Sequence, residues 1–160
     1  MTGTLSVIAG GVETLKSEMK RVLLEGIRSN YVRRLGEIAL ERGVSGDQIT
    51  DIYTFLKSTF LYQPDPVGRE LLISPARFAE DYVDHGIAHR GDCDDLAVLV
   101  GSVLGSLGYD VRILVVSYNY DWEHAYAEVR TSIGWLPVDL ASTFPLGWDT
   151  NPTRISYVTT

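Results

Sequence analysis

The spacing of apolar residues changes near Gly108, and this change constrains the fold more than any other feature of the sequence. Before Gly108, apolar residues recur every three or four positions, which is typical of amphipathic helices. After it they alternate or form short β-branched runs, which is typical of strands. A chain that forms helices first and an antiparallel sheet afterwards belongs to the α+β class. We therefore predict an α+β fold.

Three apolar stripes at helical spacing, each with a polar opposite face, occupy the first 62 residues. Breaks at Ser29-Asn30 and at 43–46 separate them, and Asp47 or Ser45 is placed to cap the third helix. We predict a single domain over residues 1–160, with 1–62 as a helical section and 63–160 as the core. The stripes are Val12, Leu15, Met19, Val22 and Leu23; then Val32, Leu35, Ile38 and Ala39; then Ile49, Ile52, Tyr53, Leu56 and Phe60.

Two further helices are predicted in the core section. Ser74-Pro75 starts a short helix, with Ser as the N-cap and Pro at the first helical position. A longer, buried helix begins near Asp92 and ends at Gly108, with Cys93 in or just before its first turn. Gly101 and Gly105 lie four residues apart on it and would allow another element to approach closely.

Composition excludes several classes of partner. The chain has 14 Lys and Arg against 21 Asp and Glu, a formal charge of −7, and therefore lacks the basic footprint that binding to nucleic acid or an anionic membrane requires. Residues 1–11 show no secretory signal, and the longest apolar stretch, Leu96 to Leu107, is shorter than the roughly 20 residues of a membrane span. We expect a cytoplasmic protein at synthesis. A lone cysteine also excludes an internal disulfide and a thiolate-rich zinc site.

The predicted strands bring His124 and Asp139 onto one face of the sheet. A hairpin in which Val129 pairs with Gly134 has a four-residue loop and places the two side chains directly opposite each other. Other registers of the same parity keep them on the same face, because cross-strand partners point the same way. An aspartate can then orient the imidazole toward a thiol brought by the buried helix, which is the arrangement of a Cys-His-Asp triad of Cys93, His124 and Asp139.

The surroundings of Cys93 act on its thiol in opposite directions. A helix N-terminus stabilises a thiolate and lowers its pKa from an ordinary value of ~8.5. Asp92, Asp94 and Asp95 are adjacent to it in sequence, and like charges oppose thiolate formation. A cationic partner such as His124 is therefore needed for a nucleophile. Asp92 and Asp95 also have the spacing of a capping box.

Three motifs resemble those of the transglutaminase-like superfamily of papain-related cysteine enzymes. They are Gly91-Asp92-Cys93-Asp94-Asp95, His124-Ala125-Tyr126 with Glu128, and Gly134-Trp135-Leu136-Pro137-Val138-Asp139. The resemblance is closest to transglutaminase-like proteins encoded by tailed phages and prophages. It extends to residues 62–72, Ser74-Pro75 and Gly147-Trp148. Tyr126 is a departure, since Trp is frequent at that position.

The resemblance implies a papain-like core and a cysteine amidohydrolase or peptidase that cleaves a peptide or protein amide through a thioester. In that reading Cys93 is the nucleophile, His124 the base and then the acid, and Asp139 the residue that orients it. The backbone N–H of Cys93 is one oxyanion donor, and Tyr62 or Gln63 is the candidate for the other. No metal or organic cofactor is implied.

Two other functions stay open from the sequence. One is a virion-associated structural or assembly protein that keeps the fold without turnover, in contact with other virion proteins. The other is acyl transfer to an amine, which would crosslink proteins. The sequence gives neither the substrate nor the oligomeric state.

Other residues have both a structural and a functional reading. His85, His89 and Cys93 have the spacing of a metal site only on a continuous helix, which the glycines between them argue against. Trp135 and Trp148 either rim a substrate groove or pack in the protein.

Overall fold

A computed structural model describes residues 5–8, 11–66, 70–119 and 121–160 of the chain. Within these residues the helices are α1 (Val12–Ile27), α2 (Asn30–Arg42), α3 (Gln48–Thr59), α4 (Pro75–His85) and α5 (Cys93–Ser106). The strands are β1 (Leu5–Ile8), β2 (Glu70–Ile73), β3 (Val111–Ser117), β4 (His124–Thr131), β5 (Gly134–Val138) and β6 (Arg154–Thr159).

Strands β3 to β6 form an antiparallel sheet in the order β5-β4-β3-β6, and β1 pairs with β2 in a separate antiparallel ribbon. The predicted α+β class is confirmed, and β3 is an interior strand as its β-branched run indicates. Pro137 lies in β5 at the sheet edge, where a residue without an N–H is tolerated.

Helix α5 lies at the centre of the core, packed against α1 on one side and the sheet on the other. Its two glycines make this packing possible. A Cβ built on Gly101 would lie 3.0 Å from Cδ1 of Ile113, and one on Gly105 would lie 2.7 Å from Cγ1 of Ile27. The close approach predicted from their spacing is therefore present, and it fixes the depth of α5 between the two layers.

Side-chain caps define where the helices begin. Asp47 caps α3, and Ser74 caps α4 with Pro75 in its first turn. Asp92 and Asp95 form a reciprocal capping box at the start of α5, each side chain accepting from the other's backbone N–H. These predicted caps are confirmed, and the capping box places Cys93 at the first position of α5.

The β4–β5 hairpin differs from the predicted register by two residues. Thr131 pairs with Gly134 across a two-residue turn, whereas the sequence spacing predicts a pair of Val129 with Gly134 across a four-residue loop. Gly134 has a φ of 122°, a conformation that favours glycine, and the Oγ1 of Thr131 donates to its carbonyl. The shift is even, so His124 and Asp139 stay on one face.

Three strands, β1, β2 and β6, were not predicted, so the first 62 residues hold a strand as well as helices. The interpretation of residues 1–11 as free of a secretory signal lies mostly outside the described residues, as do residues 67–69 of the phage-like segment. Among the helices that the structure describes, none has the length and hydropathy to cross a membrane.

Candidate active site

The start of α5 presents Cys93 at an edge of the core. The preceding loop is fixed by an isolated parallel bridge between Tyr62 and Gly91, in which Gly91 donates to Leu61 and accepts from the N–H of Gln63 at 2.7 Å. Cys93 is half-buried and is the first residue of α5, in the turn whose N–H groups lack partners within the helix. Its Sγ accepts a hydrogen bond from the backbone N–H of Ala125, the second residue of β4. The thiol therefore lies beside the beginning of the strand that carries His124.

His124 and Asp139 form a close pair across the β4–β5 hairpin. The Nε2 of His124 lies 2.6 Å from Oδ2 of Asp139, and both side chains are mostly buried. In the observed register Asp139 lies one pair beyond Val138, diagonal to His124, and its carboxylate spans the offset. The Oδ1 of Asp139 accepts the backbone N–H of Ala141 at 3.0 Å, which fixes the carboxylate plane.

The charge of Asp139 determines which nitrogen of His124 carries the proton. Burial by itself would raise the pKa of Asp139, but the hydrogen bond and charge of His124 and the N–H of Ala141 outweigh it and hold the pKa below its ordinary value. An ionised carboxylate only accepts, so Nε2 of His124 is the donor in this pair. Nδ1 is then left as the nitrogen that can take a proton.

Four of the predicted site residues line one pocket of about 780 Å³: Tyr62, Cys93, His124 and Asp139. Gln63, the fifth, does not line it; its backbone N–H instead holds the loop before Cys93. The sulfur, the imidazole and its carboxylate thus share a cavity with Tyr62, as the motifs indicate.

The surroundings of Cys93 favour its thiol over its thiolate. Burial raises its pKa most, the charges of Asp94 and Asp92 raise it further, and the N–H of Ala125 opposes them. The Sγ donates toward Oδ1 of Asp94 at 3.8 Å. Burial, reinforced by the neighbouring carboxylates, therefore favours the thiol form, and a thiolate at this position needs a proton acceptor.

Three carboxylates, including that of Asp92 next to Cys93, gather in the fold. Oxygens of Asp65, Asp92 and Asp95 lie within 4.8 Å of one another. Burial and mutual repulsion raise the pKa of Asp92, and burial raises that of Asp95 against the hydrogen bonds it accepts. Asp92 and Asp95 also accept backbone N–H groups, and Asp65 accepts the N–H of Leu71, so hydrogen bonds within the fold account for the cluster.

The metal reading of His85, His89 and Cys93 is not supported by the backbone. Helix α4 ends at His85, and Gly86 follows in the left-handed conformation, so the three residues do not share a helix face. The Nε2 of His89 pairs with Asp81 instead.

Several pocket residues were not anticipated from the sequence. Trp148 was one candidate for the rim of a groove, and it lines the pocket; Trp135 does not, and lies under the guanidinium of Arg112. The others come from loops without a periodic pattern, so only their position beside the motifs would have singled them out. They are Tyr118, Glu123, Ala141, Ser142, Phe144 and Thr150.

The comparison with protein families agrees with this fold. A family model, the transglutaminase-like superfamily, matches residues 36–140. No curated protein matches the chain. A solved structure, described as "a Putative Cysteine Protease from Cytophaga hutchinsonii", aligns with a TM-score of 0.48 and 15% identity, over 86% of this chain and 51% of that one.

The chain thus spans about half of that structure, and a likeness at this level carries no argument. Neither description mentions a phage or a virion, so that part of the resemblance stays a prediction. The family match covers well over half of the chain, including the helix that bears Cys93 and both strands of the His-Asp hairpin. By this match, and with a papain-like α+β core, the chain belongs to the transglutaminase-like superfamily.

Proposed function

We propose that the protein is a cysteine peptidase or amidohydrolase that cleaves an amide bond in a peptide or protein. One observation carries the proposal: a His124–Asp139 pair at 2.6 Å lines the same pocket as Cys93, the only cysteine of the chain. A thiol that shares a pocket with a carboxylate-oriented imidazole has the three groups used in nucleophilic cleavage of amides.

In acylation, Nδ1 of His124 takes the proton of the Cys93 thiol as Sγ attacks the amide carbonyl carbon. The C–S bond forms, and the carbonyl electron pair moves to oxygen. When the tetrahedral intermediate collapses, the C–N bond breaks and His124 returns its proton to the leaving amine. A thioester on Cys93 remains. Asp139 holds the ring throughout and stabilises its charged form.

In deacylation, water attacks the thioester carbon while Nδ1 of His124 accepts one of its protons. Collapse breaks the C–S bond, releases the carboxylic acid, and returns the proton to sulfur. The thiol form of Cys93 that the site favours at rest is thereby restored. The same histidine serves as base and acid in both halves.

Two donors are proposed for the oxyanion. The backbone N–H of Cys93 is at the first position of α5, where N–H groups lack partners within the helix. The second is the hydroxyl of Tyr62, which lines the pocket. Burial and the nearby Cys93 and Asp92 raise the pKa of Tyr62, so its O–H stays available as a donor. Gln63 supports the loop through its backbone.

The test is hydrolysis of a peptide library followed by mass spectrometry. The wild-type chain is expected to release fragments, Cys93→Ala to release none, and His124→Ala to lose activity by at least roughly 10²-fold. His89→Ala is the matched control, because His89 also pairs with an aspartate, Asp81, but does not line the pocket. Equal activity of Cys93→Ala and wild type would contradict the proposal.

A second candidate is a structural or assembly role for the fold without turnover. The observation that favours it is the raised pKa of the Cys93 thiol beside Asp94 and Asp92. Failure of the wild-type chain to react with a peptide aldehyde, with Cys93→Ser equally folded, would support this candidate. If a labelled primary amine enters the acyl product in place of water, the activity is transfer.

A further inference from the structure

The pocket beside Cys93 is large enough for a bulky side chain. Its volume of about 780 Å³ lies within the range of pockets that enclose small ligands. One wall carries Phe144 and Trp148, whose rings are stacked with centroids 5.8 Å apart and planes 4° from parallel. Tyr62 and Tyr118 contribute two more rings to the lining. Aromatic surface therefore faces the space next to the thiol.

The fold does not use these rings for its own core. Phe144 is 45% exposed, Trp148 is 54% exposed, and neither is among the described residues that pack against the main core. Tyr62 is 50% exposed. Apolar rings left in water beside a pocket are typical of surfaces that bury against a ligand.

The charges around the pocket limit what enters it. Its charged wall residues are Glu123 and Asp139, and the described lining contains no lysine or arginine. Glu123 is held in place by the backbone N–H groups of Tyr118 and Asn119, which it accepts through Oε1. A substrate carboxylate would be repelled by these two carboxylates with no lysine or arginine of the lining to offset them, whereas an uncharged apolar side chain would not be repelled.

A second, smaller pocket meets the first at the reacting pair. It holds about 170 Å³ and shares Cys93, Glu123 and His124 with the large pocket. Trp122 and Leu15 are among its other lining residues. A substrate amide at Cys93 would therefore lie between a wide aromatic space and a narrow one.

We propose that the substrate is a peptide with an aromatic or long aliphatic residue next to the scissile amide, and that this side chain occupies the Phe144–Trp148 pocket. The smaller pocket takes a small residue on the other side of the same amide. This inference rests on the proposed function and specifies its substrate class. The proposed substrate is cleaved at a peptide bond next to a bulky apolar residue, not at a polar carboxamide side chain.

The experiment compares peptides that differ only at one residue flanking the cleaved bond: Phe, Leu, Ala or Asp. The expected kcat/KM for Phe and Leu exceeds that for Ala by about tenfold, with Asp the poorest. Trp148→Ala should remove most of this preference by raising the KM of the Phe and Leu peptides, whereas Trp148→Phe should retain the preference. Ile133→Ala is the control, since Ile133 is 95% exposed in the β4–β5 turn.

Each outcome bears on one claim. Cleavage without preference, or a preference unchanged in Trp148→Ala, would overturn the pocket assignment while the proposed activity stands. If the wild-type chain cleaves no peptide, the proposed function fails. The pocket assignment is then tested by titrating the Phe and Asp peptides into Cys93→Ala, with tryptophan fluorescence as the measure of binding. Tighter binding of the Phe peptide than of the Asp peptide supports the assignment, and equal or absent binding overturns it.

Discussion

Asp94→Asn should make the thiol of Cys93 more reactive. The carboxylate of Asp94 accepts from the thiol at 3.8 Å and opposes its ionisation. At this separation two unit charges interact by about 1 kcal/mol in bulk water and about 4 kcal/mol at an effective dielectric of 20. Because Cys93 is half-buried beside an open pocket, we take about 1.4 kcal/mol, which is one pKa unit.

A decrease of one unit in the pKa increases the thiolate fraction about tenfold at any pH well below both the original and the lowered pKa. The intrinsic nucleophilicity of the thiolate falls about threefold over the same change, so the net labelling rate rises about threefold. The assay is alkylation by iodoacetamide between pH 6 and 9, followed by intact mass. With one cysteine in the chain, each adduct reports on this site.

Asp110→Asn is the control, because Asp110 is exposed and follows the opposite end of α5. It removes the same charge from the protein without removing one from the site. If Asp94→Asn labels no faster than wild type while remaining folded, the carboxylate does not hold the proton on Cys93, and the reasoning is refuted.

Three more outcomes are expected. Asp92→Asn should stabilise the protein at neutral pH, because Asn caps a helix as well as Asp does. The raised pKa of Asp92 in the folded state means that the contribution of this residue to the free energy of unfolding falls as the pH rises from about 4. Denaturant titrations at several pH values should show this pH dependence in the wild type and lose it in the variant. Asp139→Asn should lower the free energy of unfolding above about pH 4, where the depressed pKa of Asp139 favours folding, and the difference from wild type should shrink as the pH falls below about 4. The same substitution should reduce kcat by roughly 10²–10⁴-fold. Gly26→Ala should destabilise by about 1–3 kcal/mol despite its better helix propensity, because its Cβ would lie 2.7 Å from Cβ of Ser102, and Ser102→Gly in the same chain should recover part of the loss in thermal unfolding.

Periodicity and capping chemistry predicted most of the fold. The helices begin at residues with side chains that accept the first N–H groups, such as Ser74 and Asp92, and these signals are local to the sequence. Strand β6 was missed because Ile155 and Tyr157 point to an exposed face, while Val158 alone is buried on the other. Its amphipathic pattern is therefore too weak to recognise.

The sequence predicts the order of the three motif residues and the shared sheet face of His124 and Asp139, but not the full geometry of the site. Alternation placed His124 and Asp139 on one face for every register of the right parity. The register itself depends on the turn at Gly134, which requires a positive φ that sequence spacing does not reveal. The raised pKa of the Cys93 thiol depends on its burial, which only the packed structure supplies.

The bridge between Tyr62 and Gly91 bears on how the chain can be cut and recombined. The division at residue 62 follows a change in sequence pattern, yet it falls inside the two hydrogen bonds that fix the loop before Cys93. A fragment starting at residue 63 would keep Cys93, His124 and Asp139. It would lose Leu61 and Tyr62, whose backbone pairs with Gly91 and positions the loop before the nucleophile. Transplanting the site into another scaffold therefore requires the end of the N-terminal section as part of the graft.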